Sequence, residues 1–221
     1  MNALLQATQL TKYFGSFPAL RKVSFGIEPR QCVALLGRNG AGKTTLLKLL
    51  GGLSKPTEGT LELRARTGLL GHGIGVYDEL SARQNLRFFA ALSPVAIDTE
   101  AWLERVNLRH VADAPLREYS RGMRQRLALA RAFMGEPELL LLDEPFTSLD
   151  DKATALLQYL LGDALGRGAA IVLSTHQIPE AMSLATHILF LERGQLAFSG
   201  PCPEEMLTDP TWLYRTHGAQ K

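Results

Sequence analysis

The chain has 221 residues, 46% of them hydrophobic and 21% charged, with a formal net charge of +2. Those totals describe a globular protein able to bury a substantial core, as one domain or as a domain with a subdomain. Interspersed charges without a basic stripe argue against nucleic acid as a partner, and two isolated thiols, Cys32 and Cys202, supply neither a metal spacing nor a disulfide framework.

In chain order, "LLQATQL" and "LRKVSFGI" alternate apolar and polar residues and predict an antiparallel pair bounded by Phe17-Pro18 and Glu28-Pro29. "QCVALLG" reads as a buried strand and runs through a glycine-rich turn into "TTLLKLLGGL", whose spacing is helical. "KPTEGTLELR" and "TGLLG" add two strands. "SARQ", 81–84, has the form of a capping box, and a helical region follows to the stop pair Gly135 and Pro137. Strand "ELLLLD", helix "DKATALLQYLLGDALG", strand "AAIVLST", helix "IPEAMSLA" and strands "HILFLE" and "QLAFS" then alternate. This order predicts an α/β fold with a mainly parallel core sheet covered on both faces, an antiparallel β subdomain at the start and a helical subdomain over about 81–134, within one domain spanning 1–221. No run reaches the roughly 18 apolar residues that cross a bilayer, and the opening "MNALLQATQLTKYFG" does not read as a targeting segment. Membrane association is therefore expected only through a partner.

"GRNGAGKTT" fits the phosphate-loop pattern between a strand and a helix, and comprises Gly37, Arg38, Asn39, Gly40, Ala41, Gly42, Lys43, Thr44 and Thr45. Glycines let successive N–H groups point inward, and the helix start adds partial positive charge. Lys43 is expected to reach the β and γ phosphates and Thr44 to ligate Mg²⁺. "LLLLDEP" is an apolar strand ending in two carboxylates. Beside a phosphate loop, Asp143 becomes the candidate partner of Mg²⁺ from behind its direct ligands, and Glu144 the group that orients or deprotonates the attacking water. Alone, the same pair would equally be a solvated turn.

"YSRGMRQRLALARAF", 119–133, and "SLD", 148–150, resemble the nucleotide-binding subunit of ABC transporters, whose signature before a helix reads Leu-Ser-Gly-Gly-Gln. Ser120 and Gly122 are kept, whereas Tyr119, Arg121 and Met123 depart from it. "RQRLALARA" follows at the family's spacing, the carboxylate strand comes next, and the likeness covers essentially the whole chain. The resemblance implies an ABC-type P-loop ATPase using ATP and Mg²⁺. It implies that Tyr13 in "KYFG" stacks on adenine, that Asp150 lies on a dimer-facing loop, and that His176 in "LSTHQ" touches the γ-phosphate. Each has a plain alternative: strand packing, a helix N-cap and a buried turn residue. The resemblance also assigns Ser120 to the site on a second subunit. A head-to-tail pair with two composite sites would follow, each chain binding ATP alone but hydrolysing it efficiently only when paired.

"TGLLGHGIGV" ends a strand on a histidine between glycines, and His72 could be a metal ligand, a base, a phosphate sensor or a turn residue. Counting back from "SARQNL", the family's strand-end glutamine, which contacts Mg²⁺ and the attacking water, corresponds to His72. With "THQ" and "LLDEPFTSLD", that histidine resembles in particular the ATP-binding subunit of the haem exporter of cytochrome c maturation, another ABC-2-type exporter being the alternative. A permease partner is implied, holding the chain on the cytoplasmic face of the inner membrane and docking a helix in a groove walled by "NLRFFAALSPV", 85–95. Soluble ABC ATPases of DNA repair or translation generally carry long coiled-coil insertions or two nucleotide domains, and neither is found here. Lys43, Asp143, Glu144 and His176 argue against a non-catalytic regulatory domain.

Overall fold

Alternating and continuous apolar runs sort the chain into two sheets and a set of helices. In the computed structural model, which describes residues 3–71, 75–147, 149–175, 178–209 and 211–218, the first half holds β1 (Leu5–Phe14), β2 (Phe17–Ile27), β3 (Cys32–Gly37), α1 (Lys43–Leu50), β4 (Glu58–Leu63), β5 (Thr67–Leu70), α2 (Ala82–Ala91) and α3 (Thr99–Arg105). The second half continues with α4 (Arg121–Phe133), β6 (Leu139–Asp143), α5 (Asp151–Gly166), β7 (Ala170–Ser174), α6 (Ile178–Met182), β8 (His187–Glu192), β9 (Gln195–Pro201), α7 (Glu205–Thr208) and α8 (Trp212–Thr216).

The larger sheet runs β5-β6-β7-β3-β8-β9; its first five strands are parallel and β9 is antiparallel to β8. Period 2 divides its side chains between two cores. Cys32, Ala34 and Leu36 of β3 pack with Leu129 of α4 and Leu157 and Leu161 of α5, while Val33 and Leu35 pack with Leu46 and Leu50 of α1 and with the smaller sheet. Each such leucine, fully buried, contributes about 1.5–3 kcal/mol. A third apolar cluster, including Leu86, Leu103, Val106, Leu116 and Leu127, ties α2 and α3 to the outer side of α4. The expected capping box is formed: Ser81 Oγ accepts from Gln84 N at 3.2 Å and Gln84 Oε1 accepts from Ser81 N at 2.9 Å.

The smaller sheet, β2-β1-β4, is antiparallel. Here the structure corrects the sequence reading. Phe17-Pro18 marks the start of β2, as expected, but forms its first two residues instead of standing before it; β2 is an edge strand and proline's missing N–H costs no ladder bond there. α6 ends at Met182 rather than near residue 185, and the short helices α7 and α8 had no clear periodicity to announce them.

Candidate active site

β3 ends on Gly37, and the chain loops through exposed Arg38, Asn39 and Gly40 and buried Ala41 before α1 begins. Gly42 precedes the helix at φ 108°, and a Cβ there would sit 2.7 Å from the Ala19 carbonyl oxygen of β2. Only glycine allows the loop to press against the antiparallel sheet at this point. α1 has no side-chain cap and no acidic residue in its first turn, so its leading N–H groups are left for an anion.

Lys43 bends back over this loop, donating to Gly37 O at 2.7 Å and Arg38 O at 3.3 Å. Burial pushes its ammonium below the ordinary lysine range, opposed by the nearby carboxylates of Glu144 and Asp143. Thr44 Oγ1 donates to Asp143 Oδ2 at 2.8 Å, bringing together the two residues read as Mg²⁺ partners. Two hard oxygen donors at the phosphate end of a loop suit that cation. The second Asp143 oxygen accepts from Ser174 Oγ at 2.5 Å. Ser174 was not singled out from the sequence; a hydroxyl ending an apolar strand was the available signal.

Glu144 leaves β6 with φ 54°, a left-handed conformation that costs a non-glycine residue about 1–2 kcal/mol. Its N–H is held by Ser174 O and Ser174 Oγ, both at 3.1 Å, and its Oε2 accepts from Thr147 Oγ1 at 3.4 Å. The side chain lines a cavity of about 610 Å³ together with Asn39, Gly40, Gly42, Lys43, Thr44, Thr45 and Asp143. The aromatic wall of that cavity is Phe14 and Phe17, paired across the hairpin, and not Tyr13. Successive strand residues face opposite sides, which leaves Tyr13 off that wall.

Ser120 and Asp150 lie apart from this cavity, each as a helix N-cap. Ser120 Oγ accepts from Met123 N at 3.2 Å and Asp150 Oδ1 from Ala153 N at 2.7 Å. At Gly122 a Cβ would meet nothing among the described residues closer than Asp150 Oδ2 at 4.0 Å. Tyr119 is core: its hydroxyl donates to Val111 O at 2.6 Å. His72, His176 and Ser148 fall outside the described residues. A groove of about 480 Å³ is walled by Phe89, Leu92, Ser93 and Pro94, the stretch proposed from the sequence, with Phe88 half-exposed beside it.

Residues 20–147 match the ABC transporter family. The chain belongs to that family. It is an ABC transporter ATP-binding protein that binds and hydrolyses ATP. It is 35% identical over 224 residues to Nod factor export ATP-binding protein I of Cupriavidus metallidurans, covering 94% of this chain and 74% of that one. It is 39% identical over 191 residues to cytochrome c biogenesis ATP-binding export protein CcmA 2 of the same organism, covering 80% and 90%. The solved ATP-binding subunit of an ABC transporter superposes with a TM-score of 0.85 at 27% identity over 98% of this chain and 95% of that one. A bacterial ABC transporter cassette solved as a dimer gives 0.80 at 25% identity, with 89% and 98% covered.

Proposed function

We propose that this ABC ATPase powers an exporter that serves cytochrome c assembly, by moving haem or releasing its chaperone. The observation that carries the reading is the 39% identity to an export protein of cytochrome c biogenesis. A second reading, export of the Nod factor type, has its own support: the match to that relative covers 94% of this chain against 80%. Deleting the protein is expected to block c-type cytochrome assembly while b-type cytochromes form normally. Normal c-type cytochromes in the deletion strain would move the assignment to the other exporter.

On this reading the whole chain is one ABC cassette with residues 81–134 as its helical subdomain. In the nucleotide cavity, Phe14 stacks on adenine, the N–H groups opening α1 cradle the phosphates, and Lys43 swings from its loop carbonyls to the β and γ phosphates. Thr44 and Asp143 hold Mg²⁺, which when bound neutralises charge on the phosphate oxygens. Glu144 takes the proton of the attacking water, with Thr147 and Ser174 fixing its side chain and backbone. Two copies pair head to tail, and Ser120, Gly122 and Asp150 of one complete the site of the other. Among the described residues nothing lies closer than 4.0 Å to a Cβ built at Gly122, which supports this. A permease helix docks in the groove beside Phe89, at the cytoplasmic face of the inner membrane. Among the described residues no helix is long and apolar enough to cross a membrane, which supports attachment through such a partner.

A further inference from the structure

Arg131, on α4, is a largely buried cation that the nucleotide chemistry leaves unused. Burial pushes its guanidinium below the ordinary arginine range. Its compensation comes from a backbone carbonyl and a ring. Nη2 donates to Leu69 O of β5 at 2.7 Å, and the cation lies 5.2 Å from the ring centroid of Phe89 on α2. Nε is buried with no hydrogen-bond partner among the described residues. The backbone of Gly75 closes over the same group: a Cβ at that residue would sit 3.0 Å from Nη2 and 3.2 Å from Cζ, and its φ is +59°.

One guanidinium therefore gathers β5, residue 75 and α2. It also lines two cavities at once. The outer one is the groove containing Phe89, Leu92 and Ile97; the inner one, about 330 Å³, reaches Thr44 and Asp143. β5 pairs in parallel with β6, Leu69 opposite Leu141 and Leu70 opposite Leu142, and β6 ends on Asp143. Fixing the Leu69 carbonyl thus fixes the strand beside the one that presents the carboxylate.

We propose that Arg131 is a positioning residue for ATP hydrolysis: its planar fork and face lock the end of β5 to the groove wall at Phe89, and so hold the Thr44–Asp143 pair in place from outside the nucleotide cavity. The inference rests on the ATPase activity alone and is independent of the cargo. A lysine would keep the charge but could not donate in-plane to Leu69 while stacking on the ring.

The test uses full-length Arg131→Met, Arg131→Lys and Phe89→Leu proteins. Turnover per ATP-binding site, KM, thermal midpoint and the Mg²⁺ dependence of binding a non-hydrolysable ATP analogue, by calorimetry, are compared with the parent. Arg131→Met is expected to lower kcat by about tenfold and weaken the Mg²⁺ dependence of analogue binding, with KM changed by less than about twofold. Arg131→Lys should fail to restore either property. Phe89→Leu should lower kcat by about threefold, and add little in the Arg131→Met background. Parental kcat per binding site together with parental Mg²⁺ dependence in a folded Arg131→Met or Arg131→Lys protein would overturn the proposal. Should Arg131→Met not fold, Arg131→Lys decides, and parental values in it overturn the proposal.

Discussion

Two helices of this ATPase begin close to chemistry, and they begin differently. α1 starts from a glycine with no side-chain cap and no acid in its first turn, so its N–H groups are unspent. α4 starts from Ser120, whose oxygen already accepts the Met123 N–H. α2, α3 and α5 are likewise capped, by Ser81, Asp98 and Asp150. Of these five helices the open one is α1, whose surroundings (Lys43, Thr44, Asp143) are assembled within the same chain. At α4 the cap leaves Ser120 one thing to give, its hydroxyl proton, since a serine that accepts from a backbone amide remains a donor. In the proposed pairing, the phosphate meeting that donor would be carried by the second copy. On the proposed head-to-tail pairing, α1 would supply one half of a site and the start of α4 the other.

The largest expected effect separates binding from turnover. Glu144→Gln leaves α1, Lys43 and the Thr44–Asp143 pair intact, so ATP binding should persist while hydrolysis falls by on the order of 10² or more. An ATP-bound dimer should accumulate, measurable by size-exclusion chromatography with light scattering. Parental turnover would remove Glu144 as the base.

Sharing of the site can be tested by mixing two inactive proteins, Lys43→Ala, damaged at α1, and Ser120→Arg, damaged at α4. In a head-to-tail heterodimer both lesions fall in one site and the other is intact. Partial hydrolysis should return on mixing. If heterodimers form and no activity returns, the difference between the two helix starts is not a division of labour between subunits.

A smaller effect distinguishes a cap from a catalytic donor. Ser120→Ala and Asp98→Ala each remove an N-cap and should each cost about 1 kcal/mol of stability. Only Ser120→Ala should also reduce turnover, by on the order of tenfold, the effect of one lost hydrogen bond of about 1.4 kcal/mol in the transition state. Equal kinetics in the two variants would make Ser120 a cap and nothing more.

The phosphate loop and the carboxylate strand were legible because their chemistry is local: glycines, a lysine, a hydroxyl and two acids at fixed spacing along strand and helix ends. The capping box at Ser81 was legible for the same reason. What escaped depends on distance or on register. Ser174 meets Asp143 only because β7 lies beside β6, an order that alternation of strands and helices does not specify. Choosing between Tyr13 and Phe14 requires counting faces along β1, and its pairing with β2 shifts between Ala7 and Leu10, between Leu10 and Lys12, and between Lys12 and Tyr13, so parity is lost before the hairpin end. Arg131 looked like one more basic residue on a helix until β5 and Phe89 were packed against it.

The smallest effect concerns Tyr119, which stands where the family signature has leucine. Its ring is buried in the cluster between α2, α3 and α4, and its hydroxyl is spent on Val111 O, so the departure is a core substitution next to a functional cap. Tyr119→Phe keeps the ring and removes one hydrogen bond, with Val111 O still accepting from Ala114 N at 3.0 Å, which should cost about 1 kcal/mol. Turnover should not change, because nothing in that bond faces a nucleotide. Burial, and after it the charge of Asp113, hold the phenol above the ordinary tyrosine value of 10.0. Above that pH the unfolded chain gives up this proton while the folded one keeps it, so the folded state binds more protons and stability falls as pH rises. Tyr119→Phe removes that contribution, and its alkaline loss should be the shallower of the two. Urea midpoints of parent and variant at pH about 8 and about 11 would read this directly, the gap between the proteins narrowing at the higher pH. A variant that stays as stable as the parent but hydrolyses ATP more slowly would place Tyr119 in the shared site after all, and α4 would then offer its partner more than a hydroxyl.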